Sequence, residues 1–199
     1  MSNLVWLIPT FPLVGFLIIG LFGKNLSKSL VGIIGCGTIF LSLVLSLGIF
    51  FEIKGHHEAI TVKLFDWITA GNFNAPFAFL IDPLSVLFLL IITGVGFLIH
   101  VYSVGYMYDD PAFSRFFSYL NLFVFFMLLL VLGDNYLTMF VGWEGVGLCS
   151  YLLIGFWFKN TEYNKAANKA FIMNRVGDLG FILGVILIYT TFGSVRYKE

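Results

Sequence analysis

Apolar residues run for about twenty positions at a time along this chain, and short polar clusters punctuate them. A helix needs about 20 mainly apolar residues to cross a hydrocarbon core of about 30 Å. Six stretches reach that length, at roughly 3–22, 30–51, 84–107, 115–133, 136–158 and 168–192. Between the fourth and fifth lies Gly133-Asp134-Asn135, a tight turn whose Gly and Asn tolerate positive φ. The pattern changes between the second and third stretches. Ile60-Thr61-Val62-Lys63-Leu64-Phe65 has strand character, Gly71-Asn72 offers a turn, and Phe73 to Ile81 is again extended and aromatic. A β-hairpin on the membrane surface fits, against the alternative of an irregular amphipathic loop. The expected fold class is an all-α polytopic membrane protein with about six transmembrane helices and a small β-hairpin in the 52–82 loop. Residues 1–199 read as a single helical unit.

Composition supports that reading. Hydrophobic residues make up 59% of the chain and charged residues 11%, where soluble domains carry about 25% charged residues. Too little polar surface remains to cover a soluble globule, so apolar side chains must face lipid. The formal charge is zero, which gives no field directed at nucleic acid. Cys36 and Cys149 fall inside apolar runs and read as small packing residues. A secretory signal carries its positive charge before the apolar run, whereas here Lys24 and Lys28 follow it, as in a first permanent span. Lys and Arg gather on the cytoplasmic side of membrane proteins. Lys24, Lys28, Arg115, Lys159, Lys165 and Lys169 lie on one side; Lys54, Lys63, Arg196 and Lys198 lie on the other. The bias puts the N-terminus and the 52–82 loop outside.

Three charges sit well inside expected spans: Glu144 in the fifth, and Arg175 and Asp178 in the sixth. Each costs about 2.5–3.5 kcal/mol at a helix centre on insertion scales, which makes an intramembrane ionisable residue a functional candidate. At about 1.5 Å per residue, Glu144 lies about 12 Å below the outer end of its span, and Asp178 reaches a similar depth on the antiparallel neighbour. Arg175 and Asp178 are three apart and share a helical face. A buried cluster of Glu144, Arg175 and Asp178 near the midplane is expected. Burial disfavours an ionised carboxylate and a nearby cation favours it, so a moving cation would change proton affinity, as a relay requires. A static Arg175–Asp178 pair that only holds helices together is the other reading. His100, late in the third span, is a weaker relay candidate beside a packing role. Asp82-Pro83 suits a helix start. Lys165 and Lys169 suit snorkelling at a span entrance. Trp143, Trp157 and the Tyr residues near span ends fit interfacial anchoring in part. His56 and His57 read as a solvated pair. Gly142-Trp143-Glu144-Gly145-Val146-Gly147 lacks the order and setting of a dinucleotide fingerprint.

The stretch Gly142-Trp143-Glu144-Gly145-Val146-Gly147-Leu148-Cys149-Ser150-Tyr151-Leu152-Leu153-Ile154-Gly155-Phe156-Trp157 resembles the signature of the antiporter-like subunits L, or chain 5, of respiratory complex I. Leu80 to Ser85, His100 to Met107, Ala167 to Phe171 and Asn174 to Asp178 agree with the same family. The resemblance implies a proton-translocating half-channel with Glu144 as its central protonatable group and Asp178 shaping its charge. It also implies a lysine on a discontinuous seventh helix, a second inverted half and a lateral helix, so the chain reads as an N-terminal portion. Gly145 occupies a slot where a bulkier residue is common. No cofactor is expected in this chain. By that resemblance flavin, iron–sulfur clusters and quinone belong to partner subunits of the NADH:quinone oxidoreductase, an electron-transport translocase of the respiratory chain.

The expected partners are neighbouring complex I membrane subunits, the lipid bilayer and protons. The expected location is the bacterial plasma membrane, with the mitochondrial inner membrane as the alternative. A related large subunit of a multi-subunit sodium/proton antiporter is the competing function, and a non-conducting scaffold is the third.

Overall fold

A computed structural model describes residues 4–54, 59–71 and 73–197. The elements in order are α1 (Leu7–Phe22), α2 (Lys28–Ile53), β1 (Ile60–Ala70), β2 (Phe73–Ile81), α3 (Pro83–Tyr106), α4 (Phe113–Leu132), α5 (Tyr136–Ile154) and α6 (Thr161–Phe192). Five of these helices are long and apolar enough to cross a membrane, and α1, with 16 residues, is a shorter apolar helix. The expected hairpin is present, with β1 and β2 antiparallel and Ile60 opposite Ile81. Gly71 supplies the positive φ of +58° at its turn. His56 and His57 lie outside the described residues.

Local chemistry starts and stops the helices. Asp82 accepts from the Ser85 backbone N–H at 2.7 Å while the Asp82 N–H donates to Ser85 Oγ at 2.9 Å, a reciprocal cap with Pro83 at the first helical position. Asn135 caps α5 by accepting from the N–H groups of Leu137 and Thr138. Asn160 caps α6, which therefore begins at Thr161, about seven residues before the apolar stretch. The difference has a physical reason: hydropathy marks the part of a helix that lipid can cover, whereas capping marks where the backbone starts to coil. The 32 residues of α6 span about 48 Å, well beyond the hydrocarbon core.

Helices α1, α2, α3 and α4 pack as a bundle, α5 lies along α4, and α6 lies against α5. The main core joins Ile8, Ile39, Ile49, Leu89, Leu128 and Leu132 with Phe79 and Ile81 of β2. Helices α4 and α5 approach closely because Gly142 has no side chain; a Cβ there would sit 2.6 Å from Leu130 Cα. Large apolar residues around the outside, such as Leu98 at 66% exposure and Leu187 at 67%, present the surface that lipid or further membrane helices cover.

One end of the bundle is closed by a polar knot. The Asp134 backbone N–H donates to the Ala78 carbonyl, and Asn135 Nδ2 donates to the Pro76 carbonyl, joining the α4–α5 turn to β2. Asp134 is 3% exposed and accepts Arg196 from the segment after α6, with Nη2 at 3.2 Å and Nε at 3.3 Å. Tyr136 and Tyr197 donate backbone N–H groups to Val195 and Asp134, which completes the join. Burial raises the proton affinity of the Tyr197 hydroxyl, and the neighbouring Tyr136 and Asp134 add to it. The hairpin, the α4–α5 turn and the tail thus lie on one side, as the alternation of the expected spans requires.

Removing Arg196 leaves Asp134 a buried carboxylate without its cation. Arg196→Gln is expected to lower stability by about 1–3 kcal/mol, below the range for fully buried pairs because Arg196 is partly open to solvent. Thermal unfolding in detergent measures this, and adding Asp134→Asn to Arg196→Gln should recover part of the loss.

Candidate functional site

Helix α5 carries Glu144 between Trp143 and Gly145, and α6 carries Arg175 and Asp178 on the face turned towards α5. The two helices run antiparallel, so the three side chains converge. The Arg175 guanidinium pairs through Nη1 with Glu144 Oε2, and its Nε lies 3.5 Å from Asp178 Oδ2. One cation therefore bridges two carboxylates on two helices. The side chain of Asp178 is 7% exposed, that of Glu144 25% and that of Arg175 38%. The guanidinium also sits over the Phe171 ring, 4.7 Å from its centroid, an arrangement that favours a cation over the ring face.

Two carboxylates against one guanidinium leave the cluster one negative charge in excess when all three are ionised. That excess is costly in an apolar surround, and a single proton removes it. A groove of 420 Å³ runs along the cluster, lined by Phe126, Phe140, Glu144, Gly145, Phe171 and Arg175 among others. Gly145 shapes it: a Cβ at this position would collide with the Phe126 ring. The absence of a bulkier residue there is therefore matched by a phenylalanine from α4 that fills the space.

His100 stands apart from this cluster. It is 1% exposed on α3, its Nδ1 is 2.7 Å from the Gly96 carbonyl, and its ring packs edge-on to Phe117. Lys165 pairs with Glu162 in the exposed first turn of α6, and Lys28 donates to the Tyr108 carbonyl. Trp143 and Trp157 have more specific partners than interfacial anchoring supplies. Trp143 Nε1 donates to Asp178 Oδ1 at 2.8 Å, and Trp157 Nε1 donates to Asp110 Oδ2 at 2.9 Å. The Trp157 hydrogen bond holds the Asp110 carboxyl below its usual range, helped by the Ala112 N–H, Arg115 and Lys28 and opposed by partial burial. One signal marked Trp143 in the sequence: it falls about 10 Å into its span, too deep for a residue that only anchors at the interface. Phe126 and Phe171 carried no comparable signal, since aromatic residues are common throughout the chain.

The carboxylate–guanidinium cluster thus lies at the contact of two apolar helices, α5 and α6, at the edge of the bundle. Two solved structures share the fold. The membrane-bound sulfane sulfur reductase, an archaeal respiratory membrane complex, contains a chain that superposes with a TM-score of 0.83 at 18% identity, covering 98% of this chain and 38% of that one. The Mrp complex from Dietzia sp. DQ12-45-1b gives 0.80 at 23% identity, covering 98% and 20%. Those likenesses concern the fold alone.

Sequence comparison is more specific. Residues 67–117 match the family described as NADH-Ubiquinone oxidoreductase (complex I), chain 5 N-terminus, and residues 133–199 match NADH:quinone oxidoreductase/Mrp antiporter, TM. The chain is 47% identical over 198 residues to NADH-quinone oxidoreductase subunit L of Rickettsia felis, covering 100% of this chain and 31% of that protein. It is 45% identical over 193 residues to NADH-ubiquinone oxidoreductase chain 5 of Metridium senile, covering 97% and 32%. The chain belongs to the complex I subunit L/chain 5 family and spans about a third of the length of the curated relatives it matches.

Because Arg175 serves both carboxylates, Arg175→Met is expected to destabilise more than Glu144→Gln, by about 1–3 kcal/mol after allowance for solvent access to the guanidinium. Adding Asp178→Asn to Arg175→Met should restore part of it; thermal unfolding of the detergent-solubilised protein reads the difference.

Proposed function

We propose that this chain supplies part of a proton-translocation half-channel in the membrane arm of NADH:quinone oxidoreductase. In this reading Glu144 takes up and releases the proton, Arg175 is the cation that shifts between carboxylates, and Asp178 is the fixed counter-charge. The single observation that carries the proposal is the sharing of Arg175 between Glu144 and Asp178. With Arg175 on Glu144 the glutamate is stable as an anion. With Arg175 drawn to Asp178, Glu144 is left half-buried without a cation and binds a proton instead. A change in the position of one side chain thus becomes a change in proton occupancy, which the groove along Phe126, Glu144 and Gly145 leaves room to exchange.

Redox chemistry belongs, on this proposal, to partner subunits that hold flavin, iron–sulfur clusters and quinone, and residues 1–199 act as one helical unit of the pump. The similar subunit L of Rickettsia felis favours a bacterial plasma membrane, while the chain 5 relative of Metridium senile stands at nearly the same identity and keeps the mitochondrial inner membrane in view. The second reading is a sodium/proton antiporter subunit, favoured by the family description that joins both systems over residues 133–199.

Membrane vesicles containing the full-length subunit in its complex distinguish these readings. Glu144→Gln is expected to reduce proton uptake at least about tenfold, the scale of losing one proton-transfer group, while the complex stays assembled. Unchanged uptake with normal assembly would sink the proposal, and loss of sodium/proton exchange alone would assign the chain to the antiporter.

A further inference from the structure

Asp178 has two oxygens and two different donors. Oδ1 accepts a well-formed hydrogen bond from Trp143 Nε1 at 2.8 Å, whereas Oδ2 is 3.5 Å from Arg175 Nε. The indole is thus the nearer partner, and Arg175 Nε makes no hydrogen bond among the described residues. An indole N–H donates but never accepts, and it carries no charge to surrender or gain. It satisfies a buried carboxylate without neutralising it. The ring is set by its own packing: Trp143 lies nearly parallel to Phe181, with centroids 6.3 Å apart and planes 12° apart, and Phe140 stacks on the same phenylalanine at 5.3 Å. Trp143 also precedes Glu144 directly in α5, so one helical segment presents the donor to Asp178 and the competing carboxylate to Arg175.

From this we infer that Trp143 is a positioning residue that frees Arg175 for Glu144 by holding Asp178 through its indole N–H. The inference rests on the proposed proton-transfer role of the cluster. A buried carboxylate stripped of its closest donor draws on the other donor in reach among the described residues, which is Arg175. The guanidinium then leaves Glu144, and the cluster is trapped in one of its two arrangements. Trp143 acts through Asp178 and Arg175 and touches no reacting atom itself.

The test uses the full-length subunit in its assembled complex, in vesicles, with proton uptake and assembly recorded together. Trp143→Phe keeps the stacking ring and removes the N–H, and it is expected to reduce uptake about tenfold with assembly intact. Trp143→Gln returns an N–H donor without the ring and should recover uptake above the level of Trp143→Phe; a purely steric role for the ring predicts the opposite order. Adding Trp143→Phe to Asp178→Asn should cause no further loss, because the neutral amide no longer competes for Arg175. Ultraviolet resonance Raman difference spectra of wild type against Trp143→Phe isolate the Trp143 indole band, which should shift to a weaker hydrogen bond in Asp178→Asn. Unchanged uptake in Trp143→Phe, or a Gln variant no better than the Phe variant, overturns the inference. If Glu144→Gln pumps normally, the underlying reading fails instead; if Glu144→Gln is inactive while Trp143→Phe is normal, only the role of Trp143 is lost.

Discussion

A charge inside an apolar helical bundle persists only with a counter-charge in reach, and here one guanidinium must serve two carboxylates. That shortage organises the site. Had α6 carried a second cation beside Arg175, each carboxylate would own a partner and the cluster would be a static clamp. With a single cation, the two helices are held together by one guanidinium that pairs closely with Glu144 and more loosely with Asp178. The same shortage makes the neutral donor on Trp143 consequential, because any hydrogen bond given to one carboxylate releases charge for the other.

The scaffold is built to keep that cluster at one place while leaving it accessible. Gly142 brings α5 against the α4 backbone, and Gly145 makes room for Phe126, so α5 is fixed from behind by close packing. Its front faces α6, whose own apolar flank is largely exposed: Ile172, Met173, Val176, Leu179, Leu183 and Leu187 all lie open. The order on α6 comes from its two ends, from the charged cluster, and from aromatic packing of Phe181 on Phe140 and Trp143, Phe171 on Tyr151 and Tyr189 on Phe73. At one end Asn160 caps the first turn; beyond the other, Arg196 reaches into the knot at Asp134. The charged cluster is structural as well as chemical for this reason, and measurements of function need to be accompanied by measurements of assembly.

Much of this was legible in the residues. Apolar run lengths gave six helices to within a few positions at most ends, and β-branched and aromatic patterning gave the hairpin from 60 to 81. The spacing of Arg175 and Asp178 on one face, with the antiparallel turn between spans, was enough to bring Glu144 beside them. Two kinds of feature were not legible. The start of α6 lay outside hydropathy, because its first two turns are polar and depend on the Asn160 cap. The partners of Trp143 and Trp157 depend on which way a ring faces across a helix–helix contact, and hydropathy is blind to that direction.

The remaining question is why a cluster of this kind sits at the contact between a well-packed helix and a sparsely packed one. A cation that changes partners must move by an ångström or more, and close-packed interiors resist such shifts. Helices α4 and α5 are locked at Gly142 and Gly145, so Glu144 is held at a fixed position. Helix α6 packs on α5 through Phe171 and Phe181 but is open along its other flank, and it is the helix that carries Arg175. On the proposed reading the shifting charge lies on the less enclosed side of the contact, and the groove of 420 Å³ beside Phe126 and Phe171 gives the guanidinium space. On the proposed reading, a fixed carboxylate and a movable guanidinium, rather than depth in the membrane alone, would separate this site from a structural ion pair.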